Sequence, residues 1–353
     1  MQKVENMLDY VIVTHLPTFY KINLYNELAK NLKIFVVFLA LDTNEKRASD
    51  FSHLENISFE YLLLSKDCLQ NRSVLKNILQ LKALLQNRPT KRVLISGWDC
   101  LEFWALRFLN PKDKNAIVVE SSIYESKTCG LKAWLKKFFL KKISLAFVCA
   151  STHKELLKAL NFKGEIRETL GVGIINKLDF KPKLRRYHKK FLFVGRLIAV
   201  KNLEFLIEIF KELKDYHLSL VGVGELEESL KELAKGAVNI QFLGAMPNAE
   251  LSRIYLEHDM LILASLKETW GLVVEEALYY KMPVIVSENC GASALIKHGV
   301  NGFIFKPSHK ESLKEILLDL DNKKYLHLLE GVEEFSIDKK DKRQVAVYSC
   351  DRD

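Results

Sequence analysis

Short apolar runs alternate with longer stretches of helical spacing along the whole chain. In the first half "YVIVTH", "KIFVVFLAL", "RVLISG", "AIVVES" and "LAFVCAS" read as strands. Between them "FYKINLYNELAKN" sets Phe19, Ile22, Leu24 and Leu28 at helical spacing, and "SVLKNILQLKALLQN" is a second helical stretch. In the second half "KFLFVGR", "HLSLVG", "NIQFLG", "DMLILAS" and "MPVIVS" are strands, separated by helices such as "LEFLIEIFKELKD" and "ELEESLKELAK". Apolar runs alternating with amphipathic helices imply parallel sheets covered on both faces. The polar, basic stretch "NKLDFKPKLRRYHKK", residues 176–190 with Pro182, divides the two series. We expect two doubly wound α/β domains, 1–175 and 176–353. Sites in such sheets form at the carboxyl ends of strands, so a cleft between two of them is the expected workplace. The tail "SIDKKDKRQVAVYSCDRD" shows no clear amphipathic helix.

With 353 residues, each half can bury a core of its own, and 48% apolar with 27% charged residues exclude a disordered chain. The formal charge of +9 favours acidic partners: phosphorylated substrates, an anionic membrane or nucleic acid. No zinc module or RRM-type motif is present, so nucleic acid is not expected. The six cysteines are scattered without a C-x-x-C pair, which argues against a zinc ribbon or a disulfide framework and fits a reducing cytosol. The N-terminus "MQKVENMLDYVIVTH" lacks the apolar core and cleavage site of a signal peptide. No apolar run approaches the roughly 18 residues of a membrane span. A cytoplasmic protein is the expectation.

Two stretches carry candidate chemistry. In "FVGRLIAVKN" a strand runs into Gly195, and Arg196 and Lys201 flank a short loop that opens a helix. Glycine allows close backbone approach, a helix N-terminus offers N–H groups, and the two cations suit a diphosphate. Two solvated cations beside a turn are the plainer alternative. In "SLKETWGLVVEEALYYKMPVIVS" the pattern Ser265-x-x-Glu268 resembles a capping box. That parse would put Gly271 inside the second helical turn, at a cost of roughly 1 kcal/mol relative to Ala. The better parse keeps Glu268 in the loop and starts the helix near Trp270 or Gly271, freeing the N–H groups of Gly271 and Leu272 for a phosphate. Carboxylates beside phosphate would repel it, so Glu268 and Glu276 are better suited to sugar or ribose hydroxyls.

Taken in order, "FVGRLIAVKN", "LVGVGELEESLKELA", "IQFLGAMPNAEL", "DMLILAS", "KETWGLVVEEALYYKMPVIVS" and "HGVNGFIF" resemble the retaining GT-B glycosyltransferases of family 4, the group 1 glycosyltransferases. The resemblance implies an α/β GT-B fold, two Rossmann-like domains facing a central cleft, with an acceptor-binding first domain and a nucleotide-sugar-binding second one. It implies hexosyl transfer from a nucleotide diphosphate sugar, with retention, without a metal ion and without a cofactor. Arg196 and Lys201 then resemble the pair that neutralises the diphosphate, and Gly195 lies in their loop. Glu268 resembles the acid that holds hydroxyls of the donor sugar. Glu276 resembles the one that holds the ribose, and E-x7-E leaves Glu275 as a surface acid. Gly271 and Leu272 match the backbone donors to phosphate, and Gly244–Met246 match the loop lining the base. Front-face attack, in which the leaving phosphate accepts the acceptor's proton, is the mechanism the resemblance implies.

The first half departs from the family. His15 and Pro17 occupy the turn where many members have a Gly-Gly pair, so His15 is a candidate donor or acceptor contact. Glu120 stands where relatives often carry a His that meets the reacting sugar, which makes it a candidate catalytic group. Trp98 and Asp99, after a strand, are candidates for the acceptor cleft; a packed Trp at a helix start is the alternative. Ser293–Ala294 stand where relatives often place an acid. In "GLKAWLKKFFLKK", residues 130–142, five lysines mingle with large apolar residues at helical spacing. Such a helix suits an anionic membrane surface, or a core helix with a basic outer face. The expected setting is therefore the cytoplasm, peripheral on the inner membrane face. The expected partners are a UDP- or GDP-sugar and a glycan or lipid-linked acceptor in bacterial surface polysaccharide or lipopolysaccharide biosynthesis. A GT-B-like nucleotide-sugar epimerase and a non-catalytic nucleotide-binding protein are the alternatives. "VGVGELEE" has Glu227 where a dinucleotide fingerprint needs its third glycine, and "DRD" at 351–353 follows no strand, so neither is read as a site.

Overall fold

The computed structural model describes residues 7–44, 51–181 and 185–349. Pro182 and the "DRD" end lie outside the described residues. The chain divides into two compact units, one of residues 1–176 with 341–353 and one of residues 177–340.

In the first unit the order is β1 (Leu8–Thr14), α1 (Phe19–Ala29), β2 (Ile34–Phe38), β3 (Glu60–Leu63), α2 (Val74–Asn87) and β4 (Thr90–Ile95). Then come α3 (Leu101–Leu109), β5 (Asn115–Val119), α4 (Gly130–Leu140), β6 (Leu145–Val148), α5 (Ser151–Ala159) and β7 (Glu165–Glu168). The strands form one parallel sheet, ordered β3-β2-β1-β4-β5-β6-β7. Successive residues of β1 serve opposite cores. Val11 and Val13 pack with Phe103, Phe139 and Leu156 on one face, whereas Tyr10 and Ile12 pack with Ile22, Tyr25 and Leu28 on the other. A strand covered on both sides has no polar alternation, which is why it reads as a continuous apolar run.

In the second unit the order is β8 (Lys190–Val194), α6 (Leu203–Glu212), β9 (His217–Val221), α7 (Glu227–Leu233), β10 (Ile240–Gly244), α8 (Asn248–Glu257) and β11 (Met260–Leu263). It continues through α9 (Leu272–Tyr279), β12 (Val284–Ser287), β13 (Gly302–Phe305), α10 (Lys310–Asp319) and α11 (Asn322–Glu334). Its six strands are parallel and ordered β10-β9-β8-β11-β12-β13. The short runs β3, β7 and β13, not among the strands expected above, are edge strands. β3, "EYLL", and β7, "EIRE", are partly exposed and carry polar residues, which blurs their apolar signature; β13, "GFIF", is apolar but only four residues long.

The tail corrects the expectation made for it. Ile337–Ser349 form a helix, α12, and the boundary between the units falls inside it. From Asp341 onward it belongs to the first unit, where the Tyr348 ring stacks on Phe147 at 4.3 Å and Tyr10 Oη donates to the Tyr348 carbonyl at 3.0 Å. The pattern was hidden because much of what this helix buries is polar: Lys340, Asp341 and Gln344.

Glycines level the carboxyl ends of β8, β9 and β10. Gly195 N–H donates to Val221 O at 3.0 Å, and Gly222 N–H donates to Gly244 O at 2.7 Å. A Cβ on Gly222, whose φ is +132°, would lie 1.9 Å from Gly195 O. The "VGVG" glycines thus serve backbone approach within the sheet. Gly222→Ala is expected to cost about 1–3 kcal/mol of stability, read as a lower urea midpoint. An unchanged midpoint would show that the two strands can part without loss.

Candidate functional site

In the second sheet the strand order reverses between β8 and β11. Connections leave a reversal on opposite sides, so its carboxyl edge stays open to a ligand. The loop after β8 carries Gly195, Arg196 and Lys201; the loop after β11 carries Glu268. Backbone bonds hold the second loop from both sides. Leu266 N–H donates to Val200 O at 2.9 Å on the β8 side. Toward β12, Glu268 N–H donates to Asn289 O, Gly291 N–H to Glu268 O, and Ala292 N–H to Trp270 O at 3.3, 3.0 and 2.8 Å. Pinned in this way, Glu268 meets Lys201 across the reversal: Lys201 Nζ donates to Glu268 Oε2, and Ser265 Oγ donates to the same oxygen at 3.3 Å. Both side chains are about four-fifths or more buried, at 15% and 16% exposure. Arg196 is exposed at the mouth of the same loop.

Gly271 caps α9 in the left-handed region, φ +97°, and a Cβ there would lie 2.9 Å from Cys290 Sγ. The helix starts at Leu272, as the loop parse of Glu268 expects. Its first N–H groups have no acceptor within the helix and its dipole is positive at that end. Gly244 ends β10 and Met246 lies in the loop that follows, two strands from β8. Ser293–Ala294 lie in a 3-10 turn, Gly291–Leu295.

The two neighbouring glutamates of α9 have different surroundings. Glu275, read above as a surface acid, is fully buried: Trp270 Nε1 donates to it at 2.5 Å and Lys340 Nζ at 2.6 Å. Sequence spacing marks it as redundant with Glu276. Only packing shows that Lys340, 65 residues away, neutralises it. Glu276 is half-buried and accepts from Tyr255 Oη at 2.7 Å. Burial pushes its carboxyl above the ordinary glutamate range; the Tyr255 hydrogen bond opposes that push and the charge of Glu275 adds to it. Tyr255 was not singled out in the sequence, since nothing local marks a partner 21 residues away.

In the first unit Glu120, at the end of β5, is paired with Lys21 Nζ at 3.1 Å, and Lys21 also donates to Thr14 Oγ1 at 3.3 Å. His153 Nε2 donates to the Glu120 carbonyl at 3.1 Å. His15 Nε2 lies 2.9 Å from Asp99. Trp98 is half-buried, its carbonyl accepts from Trp104 Nε1 at 2.9 Å, and Lys136 Nζ stands 5.4 Å from its ring centre. The Lys-rich helix α4 buries Ala133, Phe139 and Leu140 but exposes Leu131, Trp134, Leu135 and Phe138. Trp134 stacks on Phe138 at 5.8 Å, and exposed Phe108 of α3 extends the patch at 6.3 Å from Phe138. Among the described residues no helix is long and apolar enough to cross a membrane.

Residues 175–330 match the family model of group 1 glycosyl transferases. The matched segment contains the Lys201–Glu268 pair, α9 and Glu276. An uncharacterized glycosyltransferase of Haemophilus influenzae is 34% identical over 174 residues, 47% of this chain and 49% of its own length. The O-antigen biosynthesis glycosyltransferase WbnH of Escherichia coli is 28% identical over 191 residues, 52% of this chain and 54% of its own length. The chain thus spans about half the length of these two relatives. Among solved structures, the apo lipopolysaccharide outer core galactosyltransferase WaaB superimposes with a TM-score of 0.69 at 16% identity, covering 95% of this chain and 97% of that one. Anabaena HepE in complex with UDP-glucose superimposes with a TM-score of 0.68 at 13% identity, covering 97% and 100%. The fold is GT-B, built of two Rossmann-like α/β domains.

The raised Glu276 carboxyl makes a signed prediction. A folded acid that holds its proton more tightly than the unfolded one loses stability as pH rises from the ordinary glutamate range through its folded value. Glu276→Gln should therefore raise the urea midpoint at about pH 7 and bring no gain at about pH 4. An equal shift at both values would mean that ionisation is not the cause.

Proposed function

We propose that the protein transfers a hexosyl group from a UDP- or GDP-sugar to a glycan or lipid-linked acceptor of bacterial surface polysaccharide or lipopolysaccharide, with retention and without a metal ion. The observation that carries this reading is the Lys201–Glu268 pair across the β8/β11 reversal, beside the open N-terminus of α9. The match of residues 175–330 supports transferase chemistry, WbnH the acceptor class, and the UDP-glucose complex of HepE the donor class.

The roles follow from charge. Breaking the bond to the anomeric carbon leaves negative charge on the diphosphate and positive charge on the sugar. Arg196, Lys201 and the N–H groups of Gly271 and Leu272 meet the first, placed before the reaction begins. Donor binding brings the phosphate to Lys201, whose ammonium can share its protons between phosphate and Glu268. Glu268 then accepts from sugar hydroxyls, Glu276 from the ribose, and the Gly195 and Gly244–Met246 loops line the nucleotide. In the first domain, which we assign to the acceptor, Glu120 and Trp98 face the incoming glycan.

A melting-point screen with UDP-, GDP- and ADP-sugars should single out one donor by mass action, about 2.7 kcal/mol at a hundred times Kd. With that donor, Lys201→Ala and Glu268→Gln should each lower transfer about 10²–10³-fold. Wild-type rates in both would refute the assignment.

The aromatic patch of α3 and α4, ringed by Lys132, Lys136, Lys137, Lys141 and Lys142, fits an anionic lipid surface at the inner membrane face. Replacing Lys136, Lys137 and Lys141 together by Ala should abolish sedimentation with vesicles containing anionic lipid. Sedimentation equal to wild type would remove the membrane from the proposal.

A further inference from the structure

Glu275 takes no part in the donor contacts proposed above, yet it is fully buried next to them. Its two carboxylate oxygens serve different elements. Trp270 Nε1 donates to Oε1 at 2.5 Å from the loop before α9, and Lys340 Nζ donates to Oε2 at 2.6 Å from α12. Both donors are buried as well: Trp270 is 2% exposed and the Lys340 side chain 3%. Replacing both members of a buried ion pair by packed apolar residues commonly leaves a fold as stable or makes it more so. Stability alone therefore does not account for an acid at this position.

What the acid holds is the residue that joins the two halves of the proposed donor site. Trp270 follows Glu268 by two residues and directly precedes Gly271 and Leu272. Its carbonyl accepts from Ala292 N–H and from Cys290 Sγ, both at 2.8 Å. The loop is pressed close on that side, since a Cβ on Gly291 would lie 2.2 Å from Thr269 O. Trp270 is thus fixed from two directions, its backbone from the turn after β12 and its indole from α9 and α12. Gly271 beside it, at φ +97°, has the backbone freedom of glycine, so the loop needs such a hold to keep one conformation.

We infer that Glu275 is the positioning residue of the donor loop. By holding the Trp270 indole, with Lys340 neutralising it from behind, it sets Glu268 and the N–H groups of Gly271 and Leu272 where sugar hydroxyls and phosphate are to be met. The inference rests on the function proposed above. Groups that stabilise developing charge act by standing in place before the reaction, and a misplacement of about 1 Å can cost about 10²-fold in rate.

The test separates holding the indole from stabilising the fold. It uses the full chain and the nucleotide sugar chosen by the melting screen, with the matching nucleoside diphosphate and monophosphate as binding probes. Two double variants remove the buried ion pair. Glu275→Leu with Lys340→Met leaves the indole no acceptor, whereas Glu275→Gln with Lys340→Met keeps one. The first should hold the wild-type urea midpoint. It should bind the diphosphate about 10-fold more weakly, with monophosphate binding little changed. With water in the acceptor's place and donor saturating, it should release nucleoside diphosphate about 10²-fold more slowly. The second variant should recover most of both losses, which a merely structural role would not predict. Trp270→Phe, which removes the N–H and leaves the ion pair, should reproduce the first pattern and serves if the apolar pair does not fold. Wild-type binding and release without the indole's hydrogen bond would overturn this role alone, as would equal losses for diphosphate and monophosphate. Absence of any wild-type melting shift with every nucleotide sugar would overturn the proposed function and this role together.

Discussion

An open parallel sheet must reverse its strand order somewhere, and at that gap the flanking connections run to opposite faces. The carboxyl edge there is left uncovered by the sheet's own helices. Both sheets of this protein place a cation-forming side chain on one side of the gap and a carboxylate on the other: His15 and Asp99 in the first, Lys201 and Glu268 in the second. Each pair needs its two loops at a fixed separation. In the second unit the loop of Glu268 achieves this through backbone bonds to Val200 on one side and to Asn289, Gly291 and Ala292 on the other. The glycines that let β8, β9 and β10 approach bring Gly195 and Gly244 level along the same edge.

The paired glutamates of α9 show how one turn of helix gives two adjacent acids different surroundings. Glu275 faces inward, and its charge is tolerated because Lys340 and Trp270 both donate to it. Removing a partner from such a pair leaves an isolated buried charge, which is far worse than never having had the pair. Glu276, one residue on, has among the described residues a single hydroxyl partner and no cation, and its carboxyl is raised by burial. A half-buried acid without a cation is a cost to folding. Such costs are commonly tolerated at sites that must grip a polar ligand.

Much of this was legible along the chain, and the reasons are physical. The apolar runs of β1, β2, β8 and β11 announce strands covered on both faces. Gly271 announces the helix start because the alternative puts a glycine in a helical turn. The misses share one cause, which is that the informative partner is remote. Tyr255 approaches Glu276, Lys340 neutralises Glu275, and Asp99 fixes His15 from 84 residues away. The edge strands β3 and β7 escaped because exposed polar residues interrupt their apolar signature, and α12 because its packed face is largely polar.

Taken by itself, the sequence determined the class of the central strands and most helices, the α/β character of both halves, and the candidate cations and carboxylates of the second sheet's edge. These follow from periodicities and turn chemistry that act over a few residues. The tertiary structure decided which of two adjacent acids is buried, which His nitrogen is held, and where the last helix packs. Those outcomes depend on desolvation and on partners brought together by the sheet, and neither leaves a mark in local spacing.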